Sequence, residues 1–283
     1  MNKTAVFSVI FPNNLPFFME YIESVNKQTI SSFDLVLIND GIEENELKKY
    51  LVKLKNNYLV YTVSGLSIVK NRIYGIQKLL DAKYDYVVFA DTDDLLSPNR
   101  VEASVEFLKN HDIVFNDLCI VNETVQIVEN HYWKNRVNNK RIDRDFIIDK
   151  NVLGLGNTAI NSRVIDNFHA DVNDNIIAFD WLFFWYLLRN KDAYFIKDVS
   201  TIYRQHEDNC IGLKDITLER IEFILKVKQL HYRSLIADFS FLEKNFIDTE
   251  NLQKNLDIYE SIQFFENSSS INFFWWEETN YLI

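Results

Sequence analysis

The chain has 283 residues, 47% of them hydrophobic, which is enough for one large domain or a domain plus an extension. Its net charge of -11 argues against DNA or RNA as a partner, because neutralising a phosphate backbone takes clustered Lys and Arg. Cys119 and Cys210 are the only cysteines, so there is no disulfide framework and no zinc-ligand spacing, and a reducing cytoplasm fits.

Val6–Phe11 reads as a first strand, ended by Pro12-Asn13-Asn14. That apolar run is too short, and lacks the small-residue cleavage site, to be a signal peptide. Pro16–Lys27 carries a helical stripe of Phe17, Tyr21, Ile22 and Val25. Asp34–Asn39 is a second strand leading into Asp40-Gly41, Glu43–Asn56 a charged helix, and Tyr58–Val63 a third strand. Ser67 caps a helix that runs to Leu80. Tyr86–Ala90 is a fourth, fully apolar strand, followed at once by Asp91, Asp93 and Asp94. Ser97 as N-cap and Pro98 at the first helical position open a helix to Asn110, and Asp112–Asn116 is a fifth strand.

Asn122–Trp133 alternates like an added antiparallel strand, and 134–150 reads as a mobile loop. Gly154-Leu155-Gly156 lacks the third glycine of a dinucleotide fingerprint. Asp180–Arg189 is an aromatic helix, Tyr194–Tyr203 a strand leading to Arg204-Gln205-His206, and the pattern is helical from Thr217 onward. No apolar run approaches the ~20 residues of a membrane helix. Strands alternating with helices predict an α/β fold with a mostly parallel central sheet covered on both faces.

The acids after the fourth strand lie where open α/β sheets bind ligands. In an extended chain Asp91 and Asp93 share one face and Thr92 turns away. Two carboxylates that close repel unless a cation lies between them, and oxygen ligands suit Mg²⁺ or Mn²⁺. Capping of the next helix does not account for them, since Ser97 is free for that role.

Seven pieces in order resemble the family 2 glycosyltransferases, which have the GT-A fold. They are Phe7–Pro12, the Ser24–Thr29 helix end, Leu37–Gly41, Gly65–Asn71, the DXD-like Phe89–Asp94, Asn157–Ile160 with Phe179-Asp180, and Tyr203–His206. The departures are Asn13-Asn14 for Tyr-Asn, Ile42-Glu43-Glu44 after Asp40-Gly41, Lys70 for Arg, and Phe179-Asp180 for Glu-Asp.

The resemblance implies an inverting, metal-dependent transferase using a nucleotide-diphosphate sugar, most simply a UDP-sugar. It implies Asp93 as a metal ligand, Asp91 on the ribose or on the metal through water, and His206 as a further ligand. Pro12, Asn13, Asp40, Lys70, Thr92, Asp94 and Arg204 fall on the donor side, with Lys70 and Arg204 near the phosphates and Asp94 on the donor sugar. Asp180 is the candidate general base. It implies a glycan or lipid-linked acceptor, as in bacterial capsule or O-antigen synthesis, and a cytoplasmic enzyme, peripheral at the inner face of the membrane if its acceptor is there. Residues 1–215 form the GT-A domain, divided near 116 into nucleotide and acceptor halves, and 216–283 a helical extension.

Leu95 and the motif's place on the fourth strand do not suit a haloacid-dehalogenase-type phosphatase, and Pro12-Asn13-Asn14 is not the basic glycine-rich loop of a nucleotidyltransferase. A catalytically silent GT-A domain that only binds nucleotide sugar or glycan is the competing reading. The aromatic tail Phe273–Trp276 is expected to pack on the helices after Thr217 or on a second copy, giving a homo-oligomer. A membrane-interface role is the other option, disfavoured by Glu277 and Glu278 and by the lack of basic neighbours.

Overall fold

The computed structural model describes residues 2–168, 172–207, 209, 217–256, 261, 263 and 274–282. In chain order the strands and helices are β1 (Thr4–Ile10), α1 (Phe18–Asn26), β2 (Asp34–Asp40), α2 (Glu44–Leu51), β3 (Tyr58–Val63), α3 (Ile68–Asp81) and β4 (Tyr86–Phe89). Then come β5 (Leu95–Leu96), α4 (Arg100–Leu108), β6 (Ile113–Val121), β7 (Ile127–Glu129), β8 (Arg141–Ile142) and β9 (Thr158–Asn161). α5 (Phe179–Leu187), β10 (Ala193–Arg204), α6 (Leu218–Leu235) and α7 (Glu243–Asn255) complete the set.

The sheet order is β3-β2-β1-β4-β9-β6-β10-β5, with β7 against β6 and β8 against β10. β1, β2, β3 and β4 are mutually parallel, and β10 is parallel to β6. β9 runs antiparallel between β4 and β6, so β1, β2, β3, β4, β6 and β10 all point the same way.

Side-chain alternation builds two cores from one sheet. Ala5, Phe7, Val36, Ile38, Val87 and Phe89 face α3, α5 and α6; Val6, Leu35, Leu37, Tyr86 and Val88 face α1, α2 and α4. Helix α5 buries every described residue except Asp180 on all sides, from Phe179 to Leu187, so it shows no amphipathic stripe and lies inside the molecule.

Three expectations are corrected. α4 begins at Arg100, and Ser97 does not cap it; the Ser97 hydroxyl accepts the Ser200 N–H across to β10 instead. The added strand shrinks to Ile127–Glu129, because Val125 adopts a left-handed backbone at φ 62°. Residues 134–150 are packed rather than loose, with Val137, Ile142 and Ile147 buried.

The chain returns to this body at its end. Residues 271–273 of the aromatic run lie outside the described residues. Phe274 stacks on Trp133 at 5.8 Å, Trp275 lies 5.5 Å from Tyr132 and 5.2 Å from Tyr203, and Trp276 lies 6.0 Å from Phe223. The Asn151 N–H donates to the Trp275 carbonyl at 3.0 Å. Lys150 pairs with Glu277 at 3.3 Å, Arg220 with Glu278 at 2.7 Å, and the Lys228 ammonium donates to Asn280. Burial in this clamp pulls Lys228 down to about 8. None of the described helices is long and apolar enough to cross a membrane.

Candidate active site

The co-directional strands end at one edge of the sheet, where a cleft of about 530 Å³ opens. Asn13 and Asn14 follow β1, Asp40 ends β2, Asp91 and Asp93 follow β4, and Tyr203 nears the end of β10; all line it. Strand order spreads these walls from Asp40 at one side to Tyr203 and the tail indoles Trp275 and Trp276 at the other. A second cavity of about 540 Å³ lies at the opposite strand ends. Three of its cations are ion-paired, Arg163 and Lys191 with Asp112 and Arg141 with Asp192, while Arg144 and Arg189 lie over the Phe239 ring.

The acids sit on a turn rather than an extended strand: the Asp94 N–H donates to the Asp91 carbonyl at 3.3 Å. Thr92 is buried in the cleft wall, and its hydroxyl donates to the Val9 carbonyl at 3.1 Å, tying the turn to β1. Asp91 and Asp93 both face the cleft. Burial and the Asp93 charge push Asp91 up to about 7. The Asp93 Oδ2 lies 3.0 Å from His206 Nε2. Asp40 accepts a 2.5 Å hydrogen bond from the Asn71 amide, which fixes its carboxylate at the cleft mouth.

Asp180 lies in the first turn of α5, with its carboxylate beside Gly154, where a Cβ would come within 3.6 Å. Burial raises its pKa, while Arg72, the Trp181 N–H and the Asn151 side chain oppose the rise. Burial therefore outweighs the helix terminus, a balance that spacing alone leaves open.

Four of the expected residues are placed elsewhere. Arg204 is 1% exposed and turned inward. Its guanidinium donates to the Asp93 and Glu123 carbonyls and pairs with Glu20 at 2.5 Å, so it props the acidic turn from behind and has no face for a phosphate. Asp94 is 2% exposed; it accepts the Arg204 N–H at 2.9 Å and lies under the cleft floor, out of reach of a sugar. Lys70 points outward to Asp174 at 2.5 Å. Pro12 is not a cleft wall; its ring packs near Gly41.

The cation that does face the cleft is Arg72, which is in no ion pair among the described residues. Helix geometry holds the signal that finds it. With Ser67 as N-cap, Ile68 and Arg72 are four apart on one face, and both line the cleft; Lys70 is rotated off it. Gly156 is the second residue that motif reading passes over. A Cβ there would lie 2.9 Å from Asp91 Oδ2 and 3.1 Å from Asp94 Oδ2, so only glycine lets the carboxylates pack on its backbone.

Asp40, Asp91, Asp93 and Asp180 thus share the cleft with one arginine and one histidine among the described residues. No three His, Cys, Asp or Glu side chains converge as a ready-made metal cage among them. An oxygen and imidazole donor pair, Asp93 and His206, inside an under-compensated acidic cleft does suit a hard divalent cation whose other ligands come from a substrate.

A co-directional sheet with an interposed antiparallel strand, and an acidic turn after its fourth strand facing an aromatic helix, has the GT-A architecture. Staphylococcus aureus TarS residues 1–349, solved with UDP-GlcNAc, superimposes with a TM-score of 0.59 at 17% identity, covering 91% of this chain and 77% of that one. A mannosyltransferase from Pyrobaculum calidifontis, solved with GDP-Man and Mn2+, gives 0.58 at 13% identity over 90% of this chain and 70% of that one. The chain belongs to glycosyl transferase family 2, whose profile matches residues 8–168.

Among curated relatives, the Bacillus subtilis minor teichoic acid biosynthesis protein GgaB is 28% identical over 220 residues, 74% of this chain and 24% of its own length. An uncharacterized glycosyltransferase of Rickettsia bellii is 33% identical over 119 residues, 40% of this chain and 16% of its own length. The chain therefore spans about a quarter or less of these two relatives.

Proposed function

We propose that this chain transfers a sugar from a nucleotide-diphosphate donor, a UDP-sugar by preference, to a hydroxyl of a glycan or lipid-linked acceptor in bacterial surface-polymer synthesis. The carrying observation is the excess of carboxylates over cations in the cleft. A diphosphate enters such a site only with a divalent cation, so the two requirements answer one another. The Mn2+ and nucleotide sugars named with the fold neighbours, and the teichoic acid role in the name of GgaB, support the same reading.

In this reading Asp40 and Asn13 meet the nucleotide, with Asn71 orienting Asp40. Asp91 accepts a ribose hydroxyl, and Asp93 with His206 holds Mn²⁺ or Mg²⁺. When bound, the metal supplies Lewis-acid neutralisation of the leaving diphosphate. Arg72 is the protein's own cation toward that charge, in place of Lys70. Asp180 removes the proton of the acceptor hydroxyl as its oxygen bonds to the anomeric carbon and the bond to the diphosphate breaks. One displacement at the anomeric carbon inverts its configuration. Residues 1–116 carry the donor half and 117–215 the acceptor half, and 216–283 is an extension whose last turn reaches the cleft. The enzyme works in the cytoplasm, at the inner face of the membrane where its acceptor is lipid-linked.

The test is hydrolysis and transfer from a panel of UDP- and GDP-sugars with and without Mn²⁺. Asp93→Asn is expected to lose most metal-dependent nucleotide binding and turnover while melting normally. Unchanged turnover with metal present would falsify the assignment. Metal-dependent binding without any hydrolysis or transfer in the parent protein would favour a silent binding module.

A further inference from the structure

Three features converge where the chain's last described turn meets the cleft. The exposed slivers of Trp275 and Trp276, which are 8% and 4% accessible, border the cleft beside Tyr203, Leu118 and Ile177. This end is aromatic and apolar, far across the sheet from Asp40. Asn151 is 3% exposed, lines the same end, and has a buried Oδ1 without a partner. Its amide nitrogen is turned to Asp180, since the oxygen would be repelled there. The left-handed backbone of Trp276, at φ 69°, is held in place by the buried pairs of Glu277 and Glu278.

An orphaned carbonyl beside aromatic surface matches a pyranose. Its C–H face packs on an indole, and a ring hydroxyl donates to the free oxygen. A bare lipid chain leaves Asn151 Oδ1 unsatisfied, and so does an ionised phosphate, which has no hydrogen to donate to it. Resting on the transferase reading above, we propose that Trp275, Trp276 and Asn151 form the subsite for the acceptor's own sugar ring. The acceptor hydroxyl then belongs to a pyranose, delivered next to Asp180 because Asn151 touches both. Through the Asn151 N–H and the Trp275 carbonyl, the tail also fixes the height of that subsite over the base.

The chain's 5 tryptophans give few indole N–H resonances, which Trp275→Phe and Trp276→Phe assign. The full-length protein, with UDP and Mg²⁺ bound, is titrated with the methyl glycosides of glucose, galactose and N-acetylglucosamine. At least one glycoside is expected to shift the Trp275 and Trp276 resonances saturably while leaving Trp181 and Trp185 in place. Asn151→Ala should weaken that glycoside by about tenfold, the worth of one hydrogen bond, with UDP affinity unchanged. Asn151→Ser, which restores an acceptor oxygen, should recover part of the loss. The proposal is overturned if no glycoside moves the tail indoles, or if only the sugar of an intact UDP-sugar does, which would make this a donor subsite. Absence of UDP–Mg²⁺ binding would instead bring down the transferase reading and this subsite with it.

Discussion

Gly156→Ala probes the acidic turn without touching a charge. The added Cβ would fall 2.9 Å from Asp91 Oδ2 and 3.1 Å from Asp94 Oδ2. Comfortable C···O approach is about 3.3–3.6 Å, so each oxygen must retreat by a few tenths of an ångström. Asp94 cannot retreat freely, because the Arg204 N–H holds its other oxygen at 2.9 Å. Asp91 must therefore carry most of the shift, toward Asp93 and the cleft. Overpacking of this kind costs about 1–3 kcal/mol. For a chain of this size that is a melting-point drop of roughly 2–12 °C. A full ångström of misplacement costs about 10²-fold, so displacing a binding carboxylate by a few tenths is expected to lower turnover severalfold. Thermal melting and calorimetric titration of UDP with Mn²⁺ measure the two effects. Gly154→Ala is the control: its Cβ meets Asn157 Oδ1 at 3.2 Å and Asp180 Oδ2 at 3.6 Å, a milder contact that should spare UDP binding. A Gly156→Ala protein with parental melting and parental metal–nucleotide affinity would refute the reasoning.

Asp180→Asn is expected to keep donor binding and lose roughly 10²-fold or more in turnover; collapse of donor affinity would assign Asp180 to the donor side. Because burial raises the folded pKa of Asp180, its ionised form costs stability, and the stability present at low pH is lost as pH rises through that folded value. The asparagine variant should therefore melt no lower than the parent at neutral pH, and the acid limb of parental turnover should lie above the usual carboxylate range. Arg72→Ala should weaken UDP binding measurably by calorimetry while Lys70→Ala should not; the reverse order would restore Lys70 to the phosphates. Glu20→Gln, which leaves the buried Arg204 without its carboxylate, should lower the melting temperature and broaden the metal titration, whereas a phosphate-binding Arg204 would change KM alone.

The six co-directional strands, the cluster of carboxylates after the fourth and the place of Asp180 at the head of α5 were legible because they depend on local pattern: an apolar run, acids close in sequence, an acid opening an aromatic helix. The short strands β5, β8 and β9 and the turn that bends the acids were not. Direction was not legible. Arg204 and Lys70 read as cations near the right place, but the sequence carries no sign of Glu20 or Asp174, which turn them elsewhere. β6 outruns its expected end because Asn116 and Asp117 look like strand breakers. Inside the sheet, Asn116 accepts from Arg100 at 3.0 Å and Asp117 takes the N–H groups of Leu118, Trp133 and Lys134, which makes both tolerable there. The tail's contact with Asn151 joins residues too far apart in sequence for any periodicity to register.

The clamp of Lys150, Arg220 and Lys228 on the last described turn bears on how the protein is made. The part that matches the family profile, residues 8–168, holds the acidic turn but neither Asp180 nor His206 nor the indoles. A growing chain can therefore close most of the sheet and present an anion-repelling, open-sided cleft well before residue 282 is joined. Closing that side brings Trp275 onto Asn151, a contact between residues distant in sequence and therefore entropically costly to form. The turn at residues 274–282 therefore bears on the cleft wall more than on the sheet: substitutions that loosen its clamp should surface as loss of acceptor use before they surface as loss of fold.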